Sequence, residues 1–234
     1  MQTSRRLSQL APQPRGEDYG ASDIFTFYFT NFYNSAMFPK PLQNLIKEFS
    51  KLPGIGPRTA ARFAFSLLRK PDFELELLSK AIINLKKEIL ICKNCFNISE
   101  KELCEFCSNS KRDRSTVCVV EEAINIPAIE NTRKYSGLYH VLGGVIKPRE
   151  GIGSDNLNIK ELIGRVKSGN IKEIIIATNP DTEGETTALY LAKALKPYNL
   201  KITRLARGLA TGSDLEYADE MTIISALSGR KEYE

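Results

Sequence analysis

The sequence predicts an α/β protein in which a helical module and a cysteine-rich segment precede a four-stranded parallel sheet flanked by helices. Three observations predict this fold: apolar residues at helical spacing before residue 91, two Cys-x-x-Cys pairs within 92–107, and alternating strand-like and helix-like runs from residue 116. The chain has 234 residues, of which 42% are hydrophobic, enough for one or two domains with apolar cores. No apolar run approaches the roughly 20 residues that a membrane-spanning helix needs.

The first 36 residues differ from the rest of the chain. Pro and Gly interrupt positions 11–16, and six aromatic residues crowd 25–33 without a helical or strand period. We expect residues 1–36 to be a disordered or non-native extension that the function does not need. The acidic residues Glu17, Asp18 and Asp23 argue against an organellar address, and no secretory signal is visible, so we expect a cytoplasmic protein.

The helical module is predicted at 37–91. Apolar positions 42, 45, 46 and 49 predict a first helix, which ends at the Leu-Pro-Gly-Ile-Gly-Pro run of 52–57. A second helix is predicted at 58–68, and a third at 73–90 with a packed apolar stripe. The module holds ten basic and five acidic residues, which is the basic surplus of the whole chain and indicates a polyanionic partner. A solvated basic face is the alternative.

The first two helices and their Pro-Gly-Ile-Gly turn resemble the helix-hairpin-helix motif of DNA-binding proteins. Gly54 and Gly56 lack Cβ atoms and allow a phosphate to approach, and the N-terminus of the second helix offers free N–H groups. Arg58 and Arg62 lie one turn apart and can contact the same strand. Such contacts bind the backbone without reading sequence. An ordinary interhelical turn with glycine helix stops is the alternative.

Cys92, Cys95, Cys104 and Cys107 form two Cys-x-x-Cys pairs separated by eight residues. This spacing delivers four thiolates to one tetrahedral point and predicts a structural Zn²⁺ finger at 92–115, one ion per chain, with no open position for catalysis. Four unrelated thiols are the alternative, and disulfides would need an oxidising compartment. The fifth cysteine, Cys118, falls in a predicted strand and is interpreted as a small buried apolar residue.

Strand-like runs at 116–121, 138–142, 173–178, 201–206 and 221–225 alternate with helical runs at 123–131, 159–167 and 185–195. They predict a parallel four-stranded sheet with helices on both faces at 116–211, followed by a C-terminal strand and tail at 212–234. The only histidine, His140, lies in or beside a predicted strand, where a lone histidine is more often a packed residue than a catalyst.

Acidic residues follow two of these strands: Glu121 after the first, and Asp181, Glu183 and Glu185 after the third. The carboxyl ends of parallel strands meet in one crevice, so these side chains can converge. The pattern resembles the Toprim domain of topoisomerases, primases and nucleases, in which a glutamate and an Asp-x-Asp pair hold Mg²⁺. Asn179 replaces the first Asp here, which weakens a Mg²⁺ site. Complementing a helix dipole is the alternative role of the acids, and a Mg²⁺-dependent nuclease or topoisomerase-like enzyme is the alternative function.

Taken together, the hairpin, the zinc finger and the Toprim-like unit resemble the bacterial recombination mediator family RecR from residue 37 onward. The resemblance includes Leu-Pro-Gly-Ile-Gly-Pro-Arg at 52–58, Tyr-His-Val-Leu-Gly-Gly at 139–144 and Leu-Glu-Tyr-Ala-Asp-Glu at 215–220. It implies a non-enzymatic DNA repair protein of the bacterial nucleoid that acts with RecO and RecF to load RecA on single-stranded or gapped DNA. It also implies a homodimer or ring tetramer that encircles DNA, and an acidic partner surface.

Overall fold

The computed structural model describes residues 38–232, and the predicted extension at 1–36 lies outside this range. The chain divides into a first unit that ends at Ile82 and a second that begins at Ile83. No helix within 38–232 combines the length and apolar character that crossing a bilayer requires.

Two helices, α1 (Lys40–Ser50) and α2 (Pro57–Leu67), pack against each other as a hairpin. Pro57 occupies the first turn of α2, where its missing N–H costs nothing because that group has no intrahelical partner. The side chains that pack between the helices are small on α2, which permits close approach: the buried set is Leu42, Ile46, Ala60, Ala61 and Ala64.

Helix α3 (Asp72–Glu88) follows, with Asp72 and Glu74 in its first turn and two lysines in its last, as the helix dipole favours. None of its 17 residues is buried. The packed stripe predicted for this helix is therefore wrong for a single chain, because its apolar side chains face solvent. They include Phe73, Leu77, Ile82 and Leu85.

The cysteine-rich segment contains a two-stranded antiparallel ribbon, β1 (Leu90–Ile91) and β2 (Ile98–Ser99), and the short helix α4 (Glu105–Ser108). The turn between the strands contains Phe96 in a left-handed conformation with φ 62°. A ribbon of two-residue strands has too little apolar area to fold alone, so it depends on another source of stability.

The larger part of the second unit is a four-stranded, wholly parallel sheet in the order β4-β3-β5-β6. Its strands are β3 (Asp113–Val120), β4 (Gly137–Val141), β5 (Glu173–Ala177) and β6 (Lys201–Arg204). Three helices connect them: α5 (Ile126–Glu130), α6 (Ile159–Ser168) and α7 (Thr182–Leu195). The predicted α/β fold class is confirmed, although the predicted helix at 123–131 is a 3₁₀ turn followed by α5.

Successive residues of β3 serve different cores because strand side chains alternate between faces. Val117 and Val119 pack with Leu162 of α6 and Leu191 of α7. Cys118 and Val120 pack on the other face, against α5 and Phe106 of the cysteine-rich segment. One face is thus covered by helices and the other partly by the zinc-finger region. Cys118 is a buried core residue, as predicted.

The predicted C-terminal strand at 221–225 is wrong, since helix α8 (Glu220–Ser228) occupies this segment. The β-branched residues there suggest a strand, but capping decides the structure. Asp219 accepts a hydrogen bond from the N–H of Thr222 at 2.9 Å and forms the N-cap, and Gly229 follows the last turn. No residue of α8 is buried.

Candidate metal centre and nucleic-acid interface

The ribbon turn and helix α4 bring four cysteines together. The Sγ atoms of Cys92, Cys95, Cys104 and Cys107 all lie within 4.8 Å of one another, and all four residues are buried. The N–H of Cys104 donates to Cys92 Sγ at 3.3 Å, and Asn94 Nδ2 donates to Cys107 Sγ at 3.5 Å. Donors of this kind orient metal-bound sulfur atoms. Four sulfur ligands fit a closed tetrahedral Zn²⁺ site that supplies structural cross-linking and no reactive water.

The electrostatics of the four adjacent sulfur atoms also favour a bound cation. Hydrogen bonding to Cys104 and Cys107 raises the pKa of Cys95, whereas hydrogen bonding from Cys107 and Cys95 lowers that of Cys104. Adjacent thiolates repel one another. A divalent cation removes this repulsion, so metal binding and folding of the segment are coupled.

The metal segment is joined to the edge of the sheet. The N–H of Val141, in edge strand β4, donates to the carbonyl of Cys95 at 2.8 Å. Arg112 donates through Nε to the carbonyl of Gly137 at 2.7 Å, pairs with Glu130, and lies 4.9 Å from the ring centre of Phe106. The hydrogen bond from Arg112 lowers the pKa of Glu130. Folding of the zinc-finger region thus supports the outer strand of the sheet.

The hairpin turn presents the predicted DNA-binding residues to solvent. Gly54 has φ +76°, a left-handed conformation that favours glycine, whereas Gly56 forms the N-cap of α2 with φ −76°. A Cβ at either position would meet no atom of residues 38–232 within 4 Å, so the described part of the chain leaves the space over the turn open. The N-cap residue of α2 is Gly56, which has no side chain to cap the helix, so the first N–H groups of α2 are available to an external acceptor.

Arg58 and Arg62 are exposed on one face of α2, and neither has a carboxylate within 4.0 Å in the described part of the chain. They line an open hollow of about 690 Å³ with Phe63, Phe65 and Arg69. Sequence reasoning missed Arg69. Its spacing from Arg58, eleven residues or about three turns, was the available signal. The arrangement can bind phosphates with three cations and free N–H groups.

The four predicted acidic residues do not form one open surface. Glu121, at the end of β3, is buried and accepts two hydrogen bonds from Asn179 at 2.7 Å: Oε1 from the backbone N–H and Oε2 from Nδ2. Burial raises the pKa of Glu121, with further contributions from Asp181 and Glu122. Asn179, the residue that replaces the first Asp of the pair, therefore occupies both carboxylate oxygens that a cation would need.

The other three carboxylates have separate environments. Asp181 is the N-cap of α7 and accepts from the N–H of Gly184 at 2.7 Å. Glu185 pairs with Arg204 at 2.6 Å and also with Arg207. Glu183 is exposed and lines a crevice of about 580 Å³ together with Glu121, Glu122 and Asp181. Glu122 was not predicted, although it directly follows Glu121.

His140 is fully buried in β4, and its Nε2 lies 2.8 Å from the carbonyl oxygen of Asn158. Since a carbonyl only accepts, Nε2 carries the hydrogen. Burial lowers the pKa of His140 to about 4. The interpretation of His140 as a packed residue is confirmed.

Four family models match successive parts of the chain. They are the RecR helix-hairpin-helix at 42–86, the RecR zinc finger domain with four cysteine ligands at 89–109, the Toprim domain at 115–206 and the RecR C-terminal region at 208–231. Together with the cysteine cluster, the zinc-finger match confirms the predicted structural Zn²⁺, one per chain.

Similar proteins named "Recombination protein RecR" are known from several bacteria. The Moorella thermoacetica protein is 51% identical over 197 residues, which is 84% of this chain and 99% of the relative. The Gloeothece citriformis protein is 50% identical over 196 residues, 84% and 98% of the two chains. That of Tropheryma whipplei is 48% identical over 195 residues, 83% and 98%. Because half of the residues are identical over nearly the full length of these relatives, and the family models follow in the same order, the chain belongs to the RecR family.

Proposed function

We propose that this protein is a DNA-binding mediator of recombinational DNA repair that binds the sugar-phosphate backbone through its hairpin. The observation that supports the proposal most directly is that Arg58 and Arg62 are exposed and have no carboxylate partner among residues 38–232, beside the α2 N-terminus whose N-cap is Gly56. Gly54 and Gly56 leave open space for a phosphate. Since none of these groups is arranged to read base edges, binding is independent of sequence.

Replacing both arginines tests this interface. Each phosphate contact on duplex DNA contributes about 0.9 to the slope of log K against log salt. When two contacts are lost, the fall in affinity between 50 and 200 mM salt becomes about 12-fold smaller. We expect Arg58→Gln/Arg62→Gln to show this change in fluorescence anisotropy with unchanged zinc content. Lys40→Gln/Lys47→Gln, which removes the same charge from α1, is the matched control. Equal slopes for the two double variants would contradict the proposal.

We propose that copies of this chain assemble, as a homodimer or as a ring tetramer that surrounds DNA. Two apolar surfaces support assembly: helix α3, with no buried residue, and the C-terminal region around α8. The second includes Leu209, Leu215, Tyr217, Met221 and Leu227, all exposed. Clusters of exposed apolar side chains are typical of interfaces. Sedimentation analysis tests the assembly, and a monomer at micromolar concentration would contradict it.

We propose that the acidic crevice binds a basic protein partner and that RecO, and RecF in some bacteria, are the partners with which the protein loads RecA onto single-stranded or gapped DNA. Asp181 and Glu183, with the newly identified Glu122, are its exposed carboxylates. Glu121 contributes charge while bonded to Asn179, and Glu185 is screened by two arginines. A Glu122→Gln/Glu183→Gln variant should lose RecO in pull-down assays while it retains DNA binding.

We further propose that the protein is not an enzyme. The competing function, a Mg²⁺-dependent nuclease or topoisomerase-like enzyme, needs free carboxylate oxygens, whereas Asn179 donates to both oxygens of Glu121. Incubation of DNA with the protein and Mg²⁺ should give no cleavage. Cleavage that disappears in an Asp181→Ala variant would establish the enzyme instead.

The proposed modules are the hairpin module at 37–91, the zinc finger at 92–115, the Toprim domain at 116–211 and the C-terminal segment at 212–234. Residues 1–36 are proposed to be dispensable. We expect the protein to work at the nucleoid in the bacterial cytoplasm, where its DNA lies.

A further inference from the structure

The amino-terminal edge of the parallel sheet carries a row of cations. Each strand has a basic residue at or just before its start: Lys134 before β4, Arg114 in β3, Lys172 before β5 and Lys201 in β6. The strands are neighbours in that order, and the N–H of Lys172 donates to the carbonyl of Ser115 at 2.8 Å. Strands lie about 4.8 Å apart, so the row spans about 14 Å.

The connecting helices add cations to the same edge. Helices α6 and α7 run opposite to the strands, so their C-terminal ends lie near the strand starts. Lys167 is in the last turn of α6, and Lys196 directly follows α7. The Lys167 Nζ atom lies 5.8 Å from the ring centre of Tyr198, two residues after Lys196, which brings the two helix ends together. Arg133 is exposed beside Lys134.

Within residues 38–232, all of these cations except Lys201 lack a carboxylate partner. Six are exposed without a carboxylate within 4.0 Å among residues 38–232: Arg114, Arg133, Lys134, Lys167, Lys172 and Lys196. Two of the three nearby acids are paired with cations: Glu130 with Arg112 and Glu173 with Lys201. Asp113, which accepts from Ser115 at 2.7 and 2.8 Å, leaves one negative charge against the six cations. This edge, called the basic edge below, is therefore a positive surface at the end of the sheet opposite to the acidic crevice.

Helix dipoles explain only part of the basic edge. Lys167 and Lys196 complement the C-terminal ends of α6 and α7. Arg114 lies inside strand β3, and Lys134 and Lys172 lie beyond the last turns of α5 and α6, where the helix dipole has little effect. Like charges at this density repel one another, and a polyanion relieves the repulsion. Each strand of duplex DNA carries about one charge per 3.4 Å of the helix axis, so a row of about 14 Å spans roughly four phosphates of one strand.

We propose that the basic edge is a second DNA-binding surface, separate from the hairpin, which contacts the phosphate backbone of duplex DNA without reading sequence. The proposal goes beyond the function of the hairpin and does not depend on it. It assigns to the sheet-containing unit a direct contact with DNA, through Arg114, Lys134 and Lys172 in particular.

The test is a triple variant of the full chain, Arg114→Gln/Lys134→Gln/Lys172→Gln. The matched control, Lys101→Gln/Arg149→Gln/Lys160→Gln, removes three exposed cations from elsewhere in the same unit and has the same net charge. Binding to a fluorescein-labelled duplex is measured by anisotropy between 50 and 200 mM salt. Each phosphate contact contributes about 0.9 to the slope of log K against log salt. When three contacts are lost, the fall in affinity between 50 and 200 mM salt should be about 40-fold smaller for the variant than for the unmodified protein.

The control should match the unmodified protein, and so should the charge-conserving variant Arg114→Lys/Lys134→Arg/Lys172→Arg. Equal slopes for the test and control variants would overturn the proposal. Combining the test substitutions with Arg58→Gln/Arg62→Gln separates the two surfaces. A hairpin variant with unchanged binding would contradict the proposed hairpin function alone. If the hairpin variant by itself has no salt-dependent binding, the basic edge is not a separate surface and this proposal fails.

Discussion

His140 makes the stability of the protein sensitive to mild acid. It is the only histidine of the chain and is fully buried, and burial lowers its pKa from 6.5 to about 4. The unfolded chain takes up a proton near pH 6.5, whereas the folded protein does not. The native state therefore keeps its full stability above pH 6.5 and loses stability as the pH falls from there toward 4.

The size of this effect follows from the two pKa values. The difference between pKa values of 6.5 and about 4 lowers the free energy of unfolding by at most about 3 kcal/mol at low pH. At pH 5.5 the free energy of unfolding is lower by about 1 kcal/mol than at pH 7. Urea unfolding of the zinc-loaded protein at pH 7.0 and 5.5, at fixed protein concentration, measures it. The His140→Gln variant retains a neutral side chain that can donate to Asn158, and its stability should change much less between the two pH values. An equal loss in both proteins, with equal zinc content, would refute the reasoning.

Three further outcomes test the zinc finger, the crevice and the N-terminal extension. Chelation of zinc should accelerate hydrogen exchange of the Val141 amide, which is bonded to Cys95, and leave that of Ile46 in α1 unchanged. Gly184→Ala should lower the free energy of unfolding by about 1–3 kcal/mol, because its Cβ would lie 2.1 Å from the carbonyl oxygen of Asn179. The control Gly164→Ala meets nothing within 4 Å and should stabilise α6 by roughly 0.5–1 kcal/mol in the same urea titration. Deletion of residues 1–36 should alter neither zinc content nor DNA affinity, and loss of either would show that the extension is required.

Local signals in the sequence predict much of this fold. The spacing of the four cysteines predicts the metal cluster, because tetrahedral coordination restricts spacing strongly. The strands β3 to β6 are visible as apolar runs because both faces of a parallel sheet are covered. The left-handed Gly54 and the Pro57 that begins α2 are also predictable from residue type alone.

Features that depend on distant residues or on competing local preferences are harder to predict. The bonds from Asn179 to Glu121 join residues 58 positions apart, and they depend on β3 and β5 being neighbours. Segment 220–228 forms helix α8 despite its β-branched residues because the Asp219 cap stabilises the first turn. Differences in propensity between residue types are small compared with the free energy of such a capping bond. The exposure of α3 was unpredictable for another reason, since an apolar stripe looks the same whether it faces the interior or another chain.

The hydrogen bond between Val141 and Cys95 also bears on aggregation. A strand at the border of a sheet is a template for pairing with other molecules, and natural proteins protect such strands. Here the protecting carbonyl belongs to a turn that depends on a metal ion for its shape. In cells short of zinc, newly made protein would therefore expose the edge of β4. We expect this protein to precipitate before it loses the rest of its fold.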